Sequence, residues 1–187
     1  MSAPQLLAGR LALVTGAGQG NGRAIALGLA AHGADVVVTD IDTAAAQQTA
    51  ADVSARGRRG WSYTLDVTDV DACAALAKSV TDDVGPVAIL VNNAGIIIRE
   101  TIDSPRAHDN WRRVLDVNLN GVFNVTHAFL AALRQTHGTV INIGSIASFV
   151  GVADTLGYSP SKGGVKLLTQ SLARELARDG IRVNAIA

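Results

Sequence analysis

The sequence predicts an α/β protein: a doubly wound parallel sheet, Rossmann-like, of about six strands with helices on both faces. Three observations predict it. Short β-branched apolar runs alternate with longer segments of helical period, the rhythm of repeated βα units. Several of those runs are continuously apolar, as parallel strands covered on both faces require. Composition agrees: 48% of the 187 residues are apolar, only 4% are aromatic, and 19 are glycine. That describes a core of Val, Ile, Leu and Ala joined by many tight turns.

The strands are expected at 11–15, 35–39, 61–65, 88–91, 139–143 and 182–186. Helices are expected at 22–32, 43–56, 70–82, 118–134 and 158–178, with another near 106–117. The ends carry matching signals: Gly33 stops the first helix, Asp42-Thr43 starts the second, and Thr68-Asp69 starts the third. Pro105 is expected in the first turn of the 106–117 helix. Crossovers should be right-handed. No Pro/Ser-rich linker, charge block or repeat divides the chain, so residues 1–187 are expected to form one domain.

Charge narrows the function. Lys+Arg and Asp+Glu both number 16, giving zero net charge. This argues against nucleic acid, which needs a basic stripe, and against anionic membranes. A single cysteine excludes an internal disulfide and a Cys-rich metal site. His32, His108, His127 and His137 form no metal-spaced set, so no metal is expected. The start of the chain has no basic leader pattern, and the longest uncharged stretches are interrupted by asparagines and glycines. The expected location is cytoplasmic.

The first strand runs directly into Thr15-Gly16-Ala17-Gly18-Gln19-Gly20-Asn21-Gly22, and a helix follows at once. Glycines let backbone approach a pyrophosphate, and the helix N-terminus offers free N–H groups and partial positive charge. Gly16, Gln19, Gly20, Asn21 and Gly22 are therefore candidate cofactor contacts. Asp40 ends the second strand, 18 residues after Gly22. A carboxylate there can accept hydrogen bonds from adenosine ribose hydroxyls and would repel a 2′-phosphate, favouring NAD over NADP. The plainer alternative has Asp40 capping the next helix.

A second constellation lies further on. Tyr158 and Lys162 are four residues apart in a helical pattern, hence one turn apart on one face. A tyrosine ordinarily titrates near 10, and bringing it towards 7 takes about 4 kcal/mol. A neighbouring ammonium and a positive nicotinamide are the natural sources of that stabilisation. Ser145, at the end of the fifth strand, stands where open α/β sheets bind ligands.

These residues together resemble the short-chain dehydrogenase/reductase family in its compact branch. Thr15, Gly16, Gly20 and Gly22 match its Thr-Gly-x-x-x-Gly-x-Gly pattern; Asn21 departs from it, where Ile or Leu is usual. The resemblance implies that Asp66 and Val67 contact adenine, and that Asn93, Ala94 and Gly95 of the Asn-Asn-Ala-Gly segment line the cofactor cleft. It implies a catalytic set of Asn118, Ser145, Tyr158 and Lys162. Tyr158 would exchange the hydroxyl proton. Ser145 would hold the same oxygen. Lys162 would assist Tyr158 and grip the nicotinamide ribose, and the Asn118 backbone would hold a water on a proton path. Asn120 is a neighbouring alternative, but the Val-Asn-Leu-Asn-Gly register favours Asn118.

The implied activity is hydride transfer between a nicotinamide cofactor and a small-molecule secondary alcohol or ketone, a polyol or sugar preferred. The alternatives are NADPH-dependent reduction of a 3-oxoacyl thioester and a non-catalytic dinucleotide-binding protein. Segments 96–99 and 147–155 are expected to border the substrate. Cys73, Trp61 and Trp111 read as packing residues, and Arg56-Gly57-Arg58-Arg59 as a solvated turn. In the family the helices corresponding to 118–134 and 158–178 pair between subunits, so a homo-oligomer, tetramer or dimer, is implied. The family also continues past a sixth strand with Pro-Gly, a substrate-covering segment and a seventh strand. This chain ends at Ala187, so that C-terminal part is expected to be missing.

Overall fold

A computed structural model describes residues 5–187; the first four residues of the expected domain lie outside the described residues. Six strands form one sheet: β1 (Leu11–Thr15), β2 (Asp35–Asp40), β3 (Gly60–Thr64), β4 (Ile89–Asn92), β5 (Thr139–Ile143) and β6 (Arg182–Ile186). Their order is β3-β2-β1-β4-β5-β6, and every neighbouring pair is parallel. The chain winds outwards from β1 to β3 and then returns to β4 on the other side. The crevice at this reversal, at the carboxyl ends of β1 and β4, is where such sheets bind ligands.

The two-residue period of a strand sends adjacent side chains to opposite faces. Leu13, Val37, Leu90, Val140 and Val183 enter one core with Leu76, Val80, Phe129 and Leu133. Ala12, Val14, Val36, Val38 and Val91 enter the other with Ala26, Ala30, Ala50 and Val53. Helices α1 (Gly20–Ala31) and α2 (Thr43–Ser54) thus cover one face. The opposite face is covered by α3 (Val70–Asp83), α5 (Gly121–Ala128), α6 (Leu130–Thr136) and α7 (Tyr158–Leu176). The remaining helix is α4 (Ala107–Leu115). Asp42 caps α2 by accepting from Ala45 N–H, and Asp69 caps α3 by accepting from Ala72 N–H. Among the described residues no helix is long and apolar enough to cross a membrane.

Strand positions fall within one or two residues of expectation, but four other expectations need correction. The helix expected at 118–134 is divided. A π-helical turn spans Asp116–Asn120, and Phe129 separates α5 from α6. The wide turn coincides with Asn118, whose side chain is committed to other segments (below). Pro105 lies before the N-cap Arg106 rather than in the first turn. Trp111 is 39% exposed and is not a core residue. Arg58 and Arg59 do not form an idle turn: both pair with Asp35, at 2.7 and 2.8 Å. Burial alone would raise the Asp35 carboxyl, but hydrogen bonds from Arg59 and the charges of Arg58 and Arg59 outweigh it and hold it low. Arg59 also stacks on Trp61, 5.2 Å from its ring centroid.

Candidate active site

A cleft of about 1220 Å³ runs along the carboxyl ends of the strands. It is long enough in its lining to span from Asp40 on β2 to Ser145 and Tyr158 beyond β5.

The glycine turn forms its middle. Gly16 has φ +60, a conformation that favours glycine. A Cβ on Gly22 would run into the Gly16 carbonyl and the Asn93 amide. The turn is laced to β4 from the other side. Asn93 Nδ2 donates to the carbonyls of Thr15 and Gly16, both at 2.9 Å. The N–H groups of Asn93 and Ala94 donate to Thr15 Oγ1 at 3.0 Å. One residue earlier, Asn92 Nδ2 donates to Thr126 Oγ1 and Asn142 Oδ1, joining β4 to α5 and β5. At the start of α1 the Gln19 side chain makes no capping bond, and the first turn holds no acidic residue. The free N–H groups of that turn therefore remain available to an anion.

At one end, Asp40 Oδ2 accepts from Gly18 N–H at 2.8 Å and Oδ1 from Asp42 N–H at 3.0 Å. Asp42, not Asp40, caps α2, which removes the plainer reading of Asp40. Asp66 and Val67 line the cleft beside it; Asp66 is shaped by bonds from the Thr68 N–H and hydroxyl, and the Val67 carbonyl accepts from Asn124. Ile41 and Thr68, next to Asp40 and Val67 in the chain, line the cleft too, as do Asp109, Arg112 and Arg113 of α4. The three α4 residues carry no signal in the sequence, because they arrive from a distant segment.

At the other end, Ser145 lies just past β5 and caps a short 3₁₀ turn, its Oγ accepting from Ala147 N–H at 3.1 Å. Tyr158 opens α7, and Lys162 follows one turn on. Lys162 is 5% exposed, with Nζ donating to the Ile143 carbonyl at 2.6 Å and lying 5.8 Å from the Tyr158 ring centroid. Burial pushes its ammonium down to about 8. Gly16, Gln19, Asn21, Gly22, Asn93, Ala94, Gly95, Ser145, Tyr158 and Lys162 all face this one cleft.

Asn118 and Gly20 are not among its lining residues. Asn118 is fully buried. Its Oδ1 accepts from Ile96 N–H at 2.7 Å, and its Nδ2 donates to the Ile96 carbonyl and Ser161 Oγ. The side chain thus fixes the segment after Gly95, and only backbone remains for any water. Of the expected substrate borders, Ile96 and Ile97 line the cleft, whereas residues 147–155 do not; Ile146 stands there instead. Cys73 is buried in the core, which pushes its thiol up to about 11. Among the described residues no cluster of three or more His, Cys, Asp or Glu could hold a metal.

A βα glycine turn, an acidic end to β2 and a Tyr/Lys pair on one cleft define a dinucleotide-dependent oxidoreductase. The chain belongs to the short-chain dehydrogenase family, whose model matches residues 10–187. It is 44% identical over 183 residues to 2-dehydro-3-deoxy-D-gluconate 5-dehydrogenase of Bacillus subtilis, covering 97% of this chain and 70% of the relative. It is 39% identical to the 3-oxoacyl-(acyl-carrier-protein) reductase FabG of Vibrio harveyi, covering 97% and 73%. Among solved structures, a gluconate 5-dehydrogenase from Burkholderia cenocepacia in complex with NADP and tartrate superposes with a TM-score of 0.90 at 35% identity, covering 97% and 71%.

Proposed function

We propose that the protein oxidises secondary alcohols, or reduces the matching ketones, using NAD in preference to NADP. The observation that carries this reading is the single cleft joining Asp40, the α1 N-terminus and the Ser145–Tyr158–Lys162 group. The residues fit such a cofactor. Asp40 presents its carboxylate to the adenosine ribose and opposes a 2′-phosphate. The first-turn amides of α1 and the glycine backbone receive the pyrophosphate. Asp66 and Val67 flank adenine, and Asn93, Ala94 and Gly95 support the nicotinamide half. Held by these residues, a nicotinamide would supply the hydride chemistry at the alcohol carbon. Tyr158 Oη takes the hydroxyl proton as the C–H bond gives up its hydride, and returns it in reduction. Ser145 Oγ holds the same oxygen. The Lys162 ammonium, 5.8 Å from the Tyr158 ring centroid, sets a positive charge beside the proton-exchanging group and would donate to the nicotinamide ribose. The Asn118 carbonyl carries a water that relays the proton outward.

Residues 1–187 act in this reading as one domain carrying both halves of the site. Trp111, Phe123 and Leu167, on α4, α5 and α7, are exposed apolar residues, which supports association into a homo-oligomer; light scattering on the purified chain tests that.

A second reading, NADPH-dependent reduction of a 3-oxoacyl thioester, is favoured by the FabG relatives and opposed by Asp40. Steady-state rates across polyols, sugar acids, simple secondary alcohols and a 3-oxoacyl thioester, each with both cofactors, decide between them. NAD-linked alcohol oxidation supports the first reading. A clear NADPH preference on the thioester replaces it with the second, and turnover of nothing in the panel replaces both with a binding protein.

A further inference from the structure

The segment after Gly95 lines the cleft at Ile96 and Ile97 and then meets the segment that leads into α7. Glu100 stands at the crossing. Its N–H donates to the Asp154 carbonyl at 2.9 Å, and it pairs with Thr155 in an isolated parallel bridge. Its carboxylate accepts from Asn110 Nδ2 on α4 at 2.9 and 3.0 Å, one contact to each oxygen. Ser104 Oγ donates to the same group. These bonds, Ser104 foremost, hold the carboxyl below its usual range, and Arg106 adds a favourable charge.

Each strand of the crossing leads to the cleft. Upstream, Ile96 is fixed at both its N–H and its carbonyl by Asn118, and Ile96 and Ile97 line the cavity. Downstream, Thr155 is buried, its hydroxyl donates to the Val152 carbonyl at 2.7 Å, and its own carbonyl accepts from Tyr158 N–H at 3.0 Å. Asp154 holds φ +55, the left-handed turn conformation that aspartate enters more readily than most residues. Two donors from different segments, Ser104 and Asn110, thus hold the one carboxylate at this contact.

We propose that Glu100 is a positioning residue: a loop carboxylate, clasped by Asn110 of α4, that fixes the gap between the Ile96–Ile97 wall and the Tyr158 turn, and so sets how closely substrate is held. The proposal rests on the reading of Tyr158 as the group that exchanges the proton. Glu100 itself touches no substrate. Its loss therefore acts on substrate fit more than on the chemical step, and spares the dinucleotide end.

The test uses Glu100→Gln, Asn110→Asp and the double variant, in which donor and acceptor are exchanged across the same contact. Hydrogen–deuterium exchange is read at Glu100 and at 155–158. KM and kcat are read with the secondary alcohol of highest turnover, and the Kd of NADH by fluorescence. In Glu100→Gln, exchange at Glu100 and 155–158 should rise about tenfold, the effect of one charge-assisted bond. KM should rise by a similar factor, with kcat within about threefold and NADH Kd within about twofold. Asn110→Asp alone, which sets two carboxylates face to face, should be at least as impaired. The double variant should recover most of the loss.

Unchanged exchange at 155–158, a fall in kcat with KM unaltered, or a double variant no better than its parents overturns the proposal. If Glu100→Gln does not fold, Asn110→Ala removes the same bonds from the α4 side and is held to the same outcomes. If no alcohol is turned over, the reading of Tyr158 fails on that count, while the exchange data alone decide the clasp. An active Tyr158→Phe likewise removes that reading without touching the exchange result.

Discussion

The Asp40 end of the cleft is built mainly from backbone, whereas the Tyr158 end is built from side chains held by other side chains. At the first, Gly16 and Gly22 bring main chain close to main chain, Gly18 leaves room for the Asp40 carboxylate, and Asp40 is itself anchored by two backbone N–H groups. At the second, Lys162 is buried against the Ile143 carbonyl, Asn118 ties Ile96 to Ser161, and Glu100 ties α4 to the approach to Tyr158. The difference teaches where each end is vulnerable. Backbone recognition fails when a side chain intrudes. Side-chain chemistry fails when a functional group or its support is removed and, Lys162 apart, leaves the cofactor contacts of the other end standing.

Gly22→Ala breaks the backbone end most severely. The new methyl collides with the Gly16 carbonyl and the Asn93 amide, so NADH affinity should fall on the order of a hundredfold, about 2.7 kcal/mol. Isothermal titration against the wild type measures it, and affinity within threefold would mean the turn does not hold the cofactor. Asp35→Asn acts on neither end but on the frame below them. It leaves Arg58 and Arg59 without their buried partner and should cost about 2 kcal/mol of stability in urea. Because the Asp35 carboxyl is held low, its contribution is present above the ordinary carboxylate range and is lost as pH falls through its folded value. The gap between wild type and variant should therefore close at low pH.

Asp40→Asn sharpens the cofactor assignment. The amide removes a charge opposing a 2′-phosphate and should move the NADH/NADPH affinity ratio about tenfold towards NADPH. The smallest effect is a pH dependence. Lys162 is brought down to about 8 by burial, so its ammonium is present below that pH and lost above it. NADH binding should weaken a few-fold as pH rises from 7 to 9, and Lys162→Met should bind weakly throughout without that slope.

The strands, the glycine turn and the Tyr/Lys pair were legible in the sequence because each is local: a period, a turn composition, a four-residue spacing. The break at Phe129 was not, because the apolar pattern of 118–134 continues through it and the departure is confined to one residue's backbone, at φ -91 and ψ 6. The Arg58/Arg59 pairing with Asp35 joins residues 23 and 24 positions apart, and nothing in a turn of three arginines announces its partner. Asn118 was legible as a site residue, but its side chain serves the fold of the Ile96 segment. Glu100 carried no signal, since its partners Asn110, Asp154 and Thr155 meet only in the folded chain.

Tyr158→Phe tests the separation of the two ends most directly. NADH Kd and NAD-linked alcohol oxidation are measured on the same preparations of variant and wild type. The account predicts Kd unchanged within about twofold, because the substitution removes only a hydroxyl and leaves Lys162 and the glycine turn in place, and turnover reduced on the order of a thousandfold, the usual weight of a positioned acid/base. Turnover retained in the variant, or lost only in step with NADH binding, would contradict it.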